Sequence, residues 1–476
     1  MTAETNGGPR VGRVAALVLV IGLLASALIV DRTTSDDATR VTTDRRGVTT
    51  PRPDASVTTW YCAEGTSAPN GRADELVYIA NVGGAAASAR VTVMAGDASN
   101  TVPLDVPAHT MVPVRVADVL AHAEPGVLVE ATGGEVVVSH GLTGNSDVAI
   151  GPCASSPAPD WHFAAGNTGR GAQLWLALFN PTADDAIVDL TFATDSGPVA
   201  PESYQGIVVP RTSRVSIPVH EAAARRLVVG TQVHARRGQV VAEQSLTLDG
   251  TDGRRGLAVS LGAPRLAEAW ELPTGLLAPG RGQQVVVANP GEESAEVTVQ
   301  IRLDAAAEIA PQEVTVGPGT AVNVDLGPVP TGVGFSSRIE STRPVALETI
   351  ASTVAPNAPP IRGLASAVGQ PAAARRWVLV PARSSEQAND FVAVVNPGRR
   401  AVRLTARAVG DGQQRDLEDL PEVPAGTRVV LDLGRLGVPV GTALVIRADG
   451  PVVVDREASS VPGLTLAAAV PDLRAR

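Results

Sequence analysis

Four times the chain runs through a short apolar stretch that stops at an asparagine: residues 76–82 (LVYIANV), 174–181 (LWLALFNP), 285–290 (VVVANP) and 391–397 (FVAVVNP). Each run is too short for a helix and rich in Val, Leu and Ile, so each predicts a strand buried on both faces. Proline cannot donate to a sheet ladder, and an asparagine side chain bonds nearby backbone, so Asn-Pro ends the strand in a turn. Turn chemistry explains the pair without any ligand.

The surroundings recur as well. Trp60, Trp161, Trp270 and Trp377 stand upstream of Asn81, Asn180, Asn289 and Asn396, and successive tryptophans lie roughly 105 residues apart, the mark of an internal repeat. Downstream comes a turn ending in threonine, at 107–110 (PAHT), 210–212 (PRT), 317–320 (GPGT) and 424–427 (PAGT). A Val-rich strand follows at 135–139, 239–243, 344–348 and 451–455, and a small-residue strand closes the unit at 147–151, 256–262, 363–369 and 463–470. About seven strands in such a length predict an immunoglobulin-like sandwich. The expected fold is all-β: four tandem immunoglobulin-like β-sandwich repeats at 60–153, 161–264, 270–371 and 377–471, after one N-terminal transmembrane helix. Each repeat is large enough to hold its own core, which predicts beads joined by short connections at 154–160, 265–269 and 372–376, a semi-rigid rod. Outside the N-terminus, helix is expected only as one or two turns at 116–123 and 220–227.

Residues 14–30 carry no charge, with Arg10 and Arg13 before them and Asp31 after. As a helix they reach roughly 25 Å, the short end for a bilayer span. The flanking charges place residues 1–13 in the cytoplasm and the repeats outside, in a single-pass cell-membrane protein. The alternative is a signal peptide cleaved after the small residues Ala25, Ser26 and Ala27. Residues 31–59 are rich in Thr, Asp and Arg, with too little apolar surface to order, and read as a disordered stalk.

Cys62 and Cys153 open and close the first repeat, and outside the cytoplasm an even pair reads as a disulfide. A redox or metal thiol pair is the alternative; it lacks CxxC spacing and neighbouring ligands. All 39 basic residues are arginine, which excludes Schiff-base and Walker-type lysines. A net charge of -10 and a pI near 5.2 argue against nucleic acid, which demands a basic footprint. Aromatic residues are only 3% of the chain, so stacking platforms are scarce, and the four of its five tryptophans that stand at the repeat starts read as core. The six histidines stand singly, and no HExxH, GxSxG or GxGxxG pattern appears. Asp249 and Asp252 lie in a Gly-rich loop that reads as a solvated turn in preference to a calcium loop. Glu243, Glu348 and Asp455 recur at the ends of matching strands, with Ser139 in the first copy, as candidates for a ligand contact or an ion pair with arginine at the sandwich end. No catalytic residue, metal ligand or cofactor is assigned.

Residues 60–65 (WYCAEG), the Asn-Pro strand ends, residues 241–243 (VAE) and the closing small-residue strands resemble the Trp-Tyr-Phe-Ala-Glu-Gly repeat proteins of bacterial surfaces. With its N-terminal anchor the chain is similar to an uncharacterised actinobacterial envelope family classed as a domain of unknown function. It departs from the pattern at Val82, which replaces the proline, at Gly166 and Gly275, which lack the Ala-Glu before them, and at Ala382, which replaces the glycine. The expected function is non-catalytic: a structural, adhesion or scaffolding component of the cell envelope. Its expected partners are envelope proteins or cell-wall glycan, with the membrane reached through the N-terminal helix. The alternatives are a glycan-binding accessory to envelope polysaccharide assembly, and a hydrolase using an acid pair.

Overall fold

The computed structural model describes residues 57–472 except 145–146, 306–307, 356–360, 381–388 and 461–462. These residues belong to one unit, Arg46–Arg476. The expected cytoplasmic segment, the 14–30 span and nearly all of the stalk lie outside the described residues. Among the described residues no helix is long and apolar enough to cross a membrane.

In repeat 1 the strands are β1 (Thr58–Cys62), β2 (Asp74–Asn81), β3 (Ala87–Ala95), β4 (Ala98–Val106), β5 (Met111–Arg115), β6 (Gly126–Gly133), β7 (Val136–Gly144) and β8 (Asp147–Pro152). They form two four-stranded sheets, ordered β1-β6-β3-β4 and β5-β2-β7-β8. Along β3 buried and exposed residues alternate, whereas β7 is buried from Val136 to Leu142. A strand with one face in water needs period two; a strand covered on both faces is apolar throughout.

The same order recurs in repeat 2, with the counterpart of β4 split into Gly197–Val199 and Ile207–Val209. In repeats 3 and 4 the counterparts of β6 and β7 fuse into single long strands, Phe335–Ala355 and Ala443–Ser460. Among the described residues helix is confined to one turn each of α1 (Val116–Val119) and α2 (Val219–Ala222) and a 3-10 turn at Glu202–Tyr204.

Several expectations need correction. Repeat 1 has eight strands, not about seven, and β1 begins at Thr58, inside the span assigned to the stalk. The connections expected at 265–269 and 372–376 are largely strand, since Ala267–Leu272 and Ala374–Leu379 begin within them. In repeat 2 the turn position matching Thr110, Thr320 and Thr427 is Ser213, not Thr212. Thr212 instead takes the positive φ shared by His109, Gly319 and Gly426.

The largest correction concerns the beads. The last strands of the repeats pack against one another in a closed cycle: β8 on Arg255–Leu261, that on Ile361–Val368, that on Gly463–Ala468, and that back on β8. Small residues make the approach close. A Cβ on Gly256 would lie 2.5 Å from the Leu364 nitrogen, one on Gly363 2.2 Å from the Leu464 nitrogen, and one on Gly463 2.5 Å from the Val148 carbonyl. Where repeat 1 has Asp147 in place of that glycine, its Oδ2 accepts the Leu257 N–H at 2.6 Å. Repeat 4 therefore touches repeat 1, which a rod forbids.

Candidate functional site at the joints between repeats

The recurring residues sort into two groups. The first holds each repeat together. The four recurring tryptophans, Trp60, Trp161, Trp270 and Trp377, are buried. Trp161, Trp270 and Trp377 donate their indole N–H to the carbonyls of Val240, Val345 and Val452. Each asparagine is buried and does the same work: Nδ2 donates to a carbonyl four residues on (Ala85, Asp184, Glu293, Arg400) and to Val106, Val209, Val316 or Val423. Its Oδ1 accepts the N–H two residues on, at Gly83, Thr182, Gly291 or Gly398. One amide thus satisfies the turn that ends β2 and ties it to the end of β4, and buried backbone groups left without partners are costly.

The disulfide joins Cys62 to Cys153 with Cα atoms 4.7 Å apart. Its place in repeat 2 is taken by Phe163 beside Gly262, whose added Cβ would lie 2.8 Å from the ring, so the bridge fills space that a large residue over a small one fills elsewhere.

The second group lies between repeats. Glu243 Oε2 accepts the backbone N–H of Ala63 and Glu64 at 3.0 and 2.7 Å, inside the WYCAEG segment of repeat 1. Glu348 Oε2 accepts the Ala165 N–H of repeat 2 at 2.9 Å, and its Oε1 accepts from Ser260 and Ser366. Asp455 accepts from Gln370 of repeat 3 at 3.4 Å; Pro273, which stands where repeat 1 has Ala63, offers no N–H. Each acid thus reaches back to the preceding repeat. The fourth place, Ser139, is buried with its hydroxyl unpartnered. The expected pairing of these acids with arginine is corrected: their partners are backbone N–H groups, hydroxyls, amides and His140.

Around Glu243 the first joint is charged. His140 Nδ1 lies 3.0 Å from Glu75 Oε1 and its Nε2 lies 3.3 Å from Glu243 Oε2, all buried. Burial opposes the imidazolium, but Glu243 and Glu75 outweigh it and push His140 up to about 9, so it is charged at neutral pH. Burial also pushes Glu75 and Glu243 upward, against the pull of His140. Gly65 fits because a Cβ there would lie 2.6 Å from Glu75 Oε2. Arg214 of repeat 2 donates to the carbonyls of Ala63, Gly65 and Pro125 and stands 3.8 Å from Glu64. Arg72 stacks over Trp175 at 4.0 Å across the same joint.

Matching positions elsewhere carry other chemistry. The Glu75 and His140 pair becomes Gln283 with Thr349 in repeat 3, at 3.0 Å, and Asp390 with Arg456 in repeat 4, at 2.8 Å and fully buried. Arg428 repeats the role of Arg214, donating to the carbonyls of Pro273, Gly275 and Phe335 and pairing with Asp304 at 2.8 Å. Burial pushes Asp455 up to about 8 and Asp147 up to about 7. The Asp249 loop is closed on itself: Asp249 caps Thr251, and Asp252 pairs with Arg254 at 2.5 Å.

Sequence reasoning missed Glu75, Arg214, Arg428 and the Asp390–Arg456 pair. Aligning the copies on the turn gives Arg214 and Arg428, each just after Ser213 or Thr427. Glu75 and His140 carry no such signal, because their counterparts change chemistry.

The fold and its joints define an all-β protein built from a fourfold-repeated two-sheet unit whose recurring polar groups are buried between copies. The chain belongs to DUF5719, a family of unknown function, whose model matches residues 144–434. No curated protein matches the chain. Among solved structures it is similar to the crystal structure of Thermotoga maritima 1070, at 20% identity over 22% of this chain and 93% of that one, with a TM-score of 0.20. It is also similar to the Anabaena sensory rhodopsin transducer, at 24% identity over 17% and 94%, with a TM-score of 0.16. At such scores neither likeness carries an argument.

Proposed function

We propose that this chain is a non-catalytic, membrane-anchored component of the cell envelope whose immunoglobulin-like repeats form one scaffold held outside the cytoplasm. One observation carries the reading: the recurring acids Glu243, Glu348 and Asp455 are buried at contacts between repeats. A hydrolase with an acid pair needs carboxylates flanking a substrate cleft, and these side chains face neighbouring backbone. The divergence of the pairs, from Glu with His to Asp with Arg, fits positions selected for packing. The two-sheet unit supports the immunoglobulin-like reading. The uncharged 14–30 stretch and the likeness of residues 60–65 to bacterial surface repeats support the anchor and the location.

In-cell crosslinking followed by identification of the captured chains tests the scaffold, with protease protection reporting topology. Capture of envelope proteins, with the repeats cleaved from outside the cell, is the expected result. Repeats protected inside the cytoplasm overturn it, and so does a hydrolytic activity abolished by Glu243→Gln with the fold intact. Retention of the purified protein by cell wall, lost on adding free wall glycan, transfers the assignment to a glycan-binding accessory.

A further inference from the structure

The cysteine pair, set aside as a metal site in the sequence for want of a neighbouring ligand, gains one in the fold. Cys62, Cys153 and His140 are all buried, and their potential ligand atoms lie within 4.8 Å of one another. A second observation points the same way. His140 Nε2 makes no hydrogen bond, only a 3.3 Å ion-pair approach to Glu243 Oε2, and Glu75 Oε2 and Glu243 Oε1 are buried without hydrogen-bond partners, so this corner carries polar capacity that the folded chain does not fully use. Metal-bound imidazoles are commonly held by a carboxylate on their other nitrogen, and His140 has Glu75 at Nδ1 and Glu243 beside Nε2.

No other repeat repeats the set. The places of Cys62 and Cys153 are held by Phe163 and Gly262, Leu272 and Gly369, or Leu379 and Ala469, and the place of His140 by Gln244, Thr349 or Arg456. Packing alone accounts for the bridge, as Phe163 over Gly262 shows, but it does not account for an imidazole backed by two acids beside it.

We propose that reduction of the Cys62–Cys153 disulfide turns this corner of repeat 1 into a two-cysteine, one-histidine site for a thiophilic divalent cation of the zinc type. A dithiol reductant breaks the S–S bond: it gives two electrons and its two protons to the cysteine sulfurs and closes to its own disulfide. The cation then displaces both thiol protons and the Nε2 proton of His140, all three passing to solvent, and is held by two thiolates and the freed imidazole nitrogen, with a fourth position left for water or a carboxylate.

The test uses the full chain, reduced with a phosphine, freed of reductant without oxygen and titrated with cobalt(II), with circular dichroism following the fold. The expected result is one cobalt per chain, thiolate-to-cobalt charge-transfer absorption and displacement by zinc. The absorption should be absent from oxidised protein and from Cys153→Ser, and affinity should fall at least about tenfold in His140→Gln. A reduced, folded chain without charge-transfer absorption overturns the proposal. Loss of the fold on reduction, or full affinity in folded His140→Gln, does so too. Should His140→Gln fail to fold, X-ray absorption of the wild-type cobalt complex decides: two sulfurs with one imidazole nitrogen support the site, and two sulfurs with oxygen alone overturn it.

Discussion

The joint between repeats 1 and 2 and the joint between repeats 2 and 3 solve one geometric problem with opposite chemistry. At the first, Arg214 reaches across to three carbonyls of repeat 1, beside the buried Glu75, His140 and Glu243. At the second, the place of Arg214 is taken by Ala321, and Val286, Ala288, Ala346 and Ile350 of repeat 3 merge with the core of repeat 2. The alternation continues around the cycle. Arg428 clamps repeat 4 to repeat 3, whereas Val378, Val380, Val409 and Val445 of repeat 4 merge with the core of repeat 1. Repeats 2 and 3, and repeats 4 and 1, are thus fused through apolar surface, and the two fused pairs meet at polar clamps. Apolar contacts are tolerant of sequence and non-directional, while a buried guanidinium demands that each of its donors find an acceptor.

The strongest way to break this contrast is to put a charge where a joint is apolar. Ala321→Glu buries an unpaired carboxylate in the fused core and should cost about 3–5 kcal/mol or prevent folding, measured as soluble yield and urea midpoint. Ala321→Arg, which copies the clamp residue, should cost less; equal losses would show that the position is not equivalent to Arg214. Next comes Arg214→Met, which leaves three carbonyls and Glu64 facing an apolar side chain. A loss of about 3 kcal/mol is expected from urea unfolding, and a loss under about 1 kcal/mol would mean the clamp is ornamental.

A smaller effect tests closure of the cycle. Gly463→Ala brings a Cβ to 2.5 Å from the Val148 carbonyl and should cost about 1–3 kcal/mol. Gly84→Ala, with nothing within 4 Å of the new Cβ, serves as the control and should change stability by less than about 0.5 kcal/mol.

The pH dependence is the mildest test. His140 is raised from 6.5 to about 9, so its stabilisation is complete below 6.5 and is lost as pH rises through 9. Asp147 and Asp455 are raised to about 7 and about 8; they favour the folded state most when protonated, and that advantage also shrinks as pH rises. His162 runs the other way: burial lowers it to about 4, so stability is lost as pH falls from 6.5 toward 4. The melting temperature should therefore peak at mildly acidic pH and fall by a few degrees between pH 6 and pH 9. His140→Gln should flatten the part of that fall near pH 9. A melting temperature that rises across this interval contradicts the charge assignment of the first joint.

Much of each unit was legible because its signals are local. An apolar run ended by asparagine needs only strand propensity and turn chemistry to be read, and the asparagine in each copy makes the same bonds in the fold. The acids were legible as positions but not as partners. Their contacts come from another repeat, far along the chain, as with Glu243 and Ala63. Nothing in the local sequence of Glu75 or His140 shows that they meet.

The sequence by itself determined the strand-rich composition, the fourfold repeat, the cysteine pair and the glycines that permit close approach, because periodicity and backbone freedom are properties of neighbouring residues. Only the tertiary structure decided that repeat 4 returns to repeat 1, that two joints are fused and two clamped, and that His140 stands beside the disulfide. Those outcomes depend on which buried surfaces find complementary ones. Burial is non-directional, so the chain order of apolar residues does not name their partners.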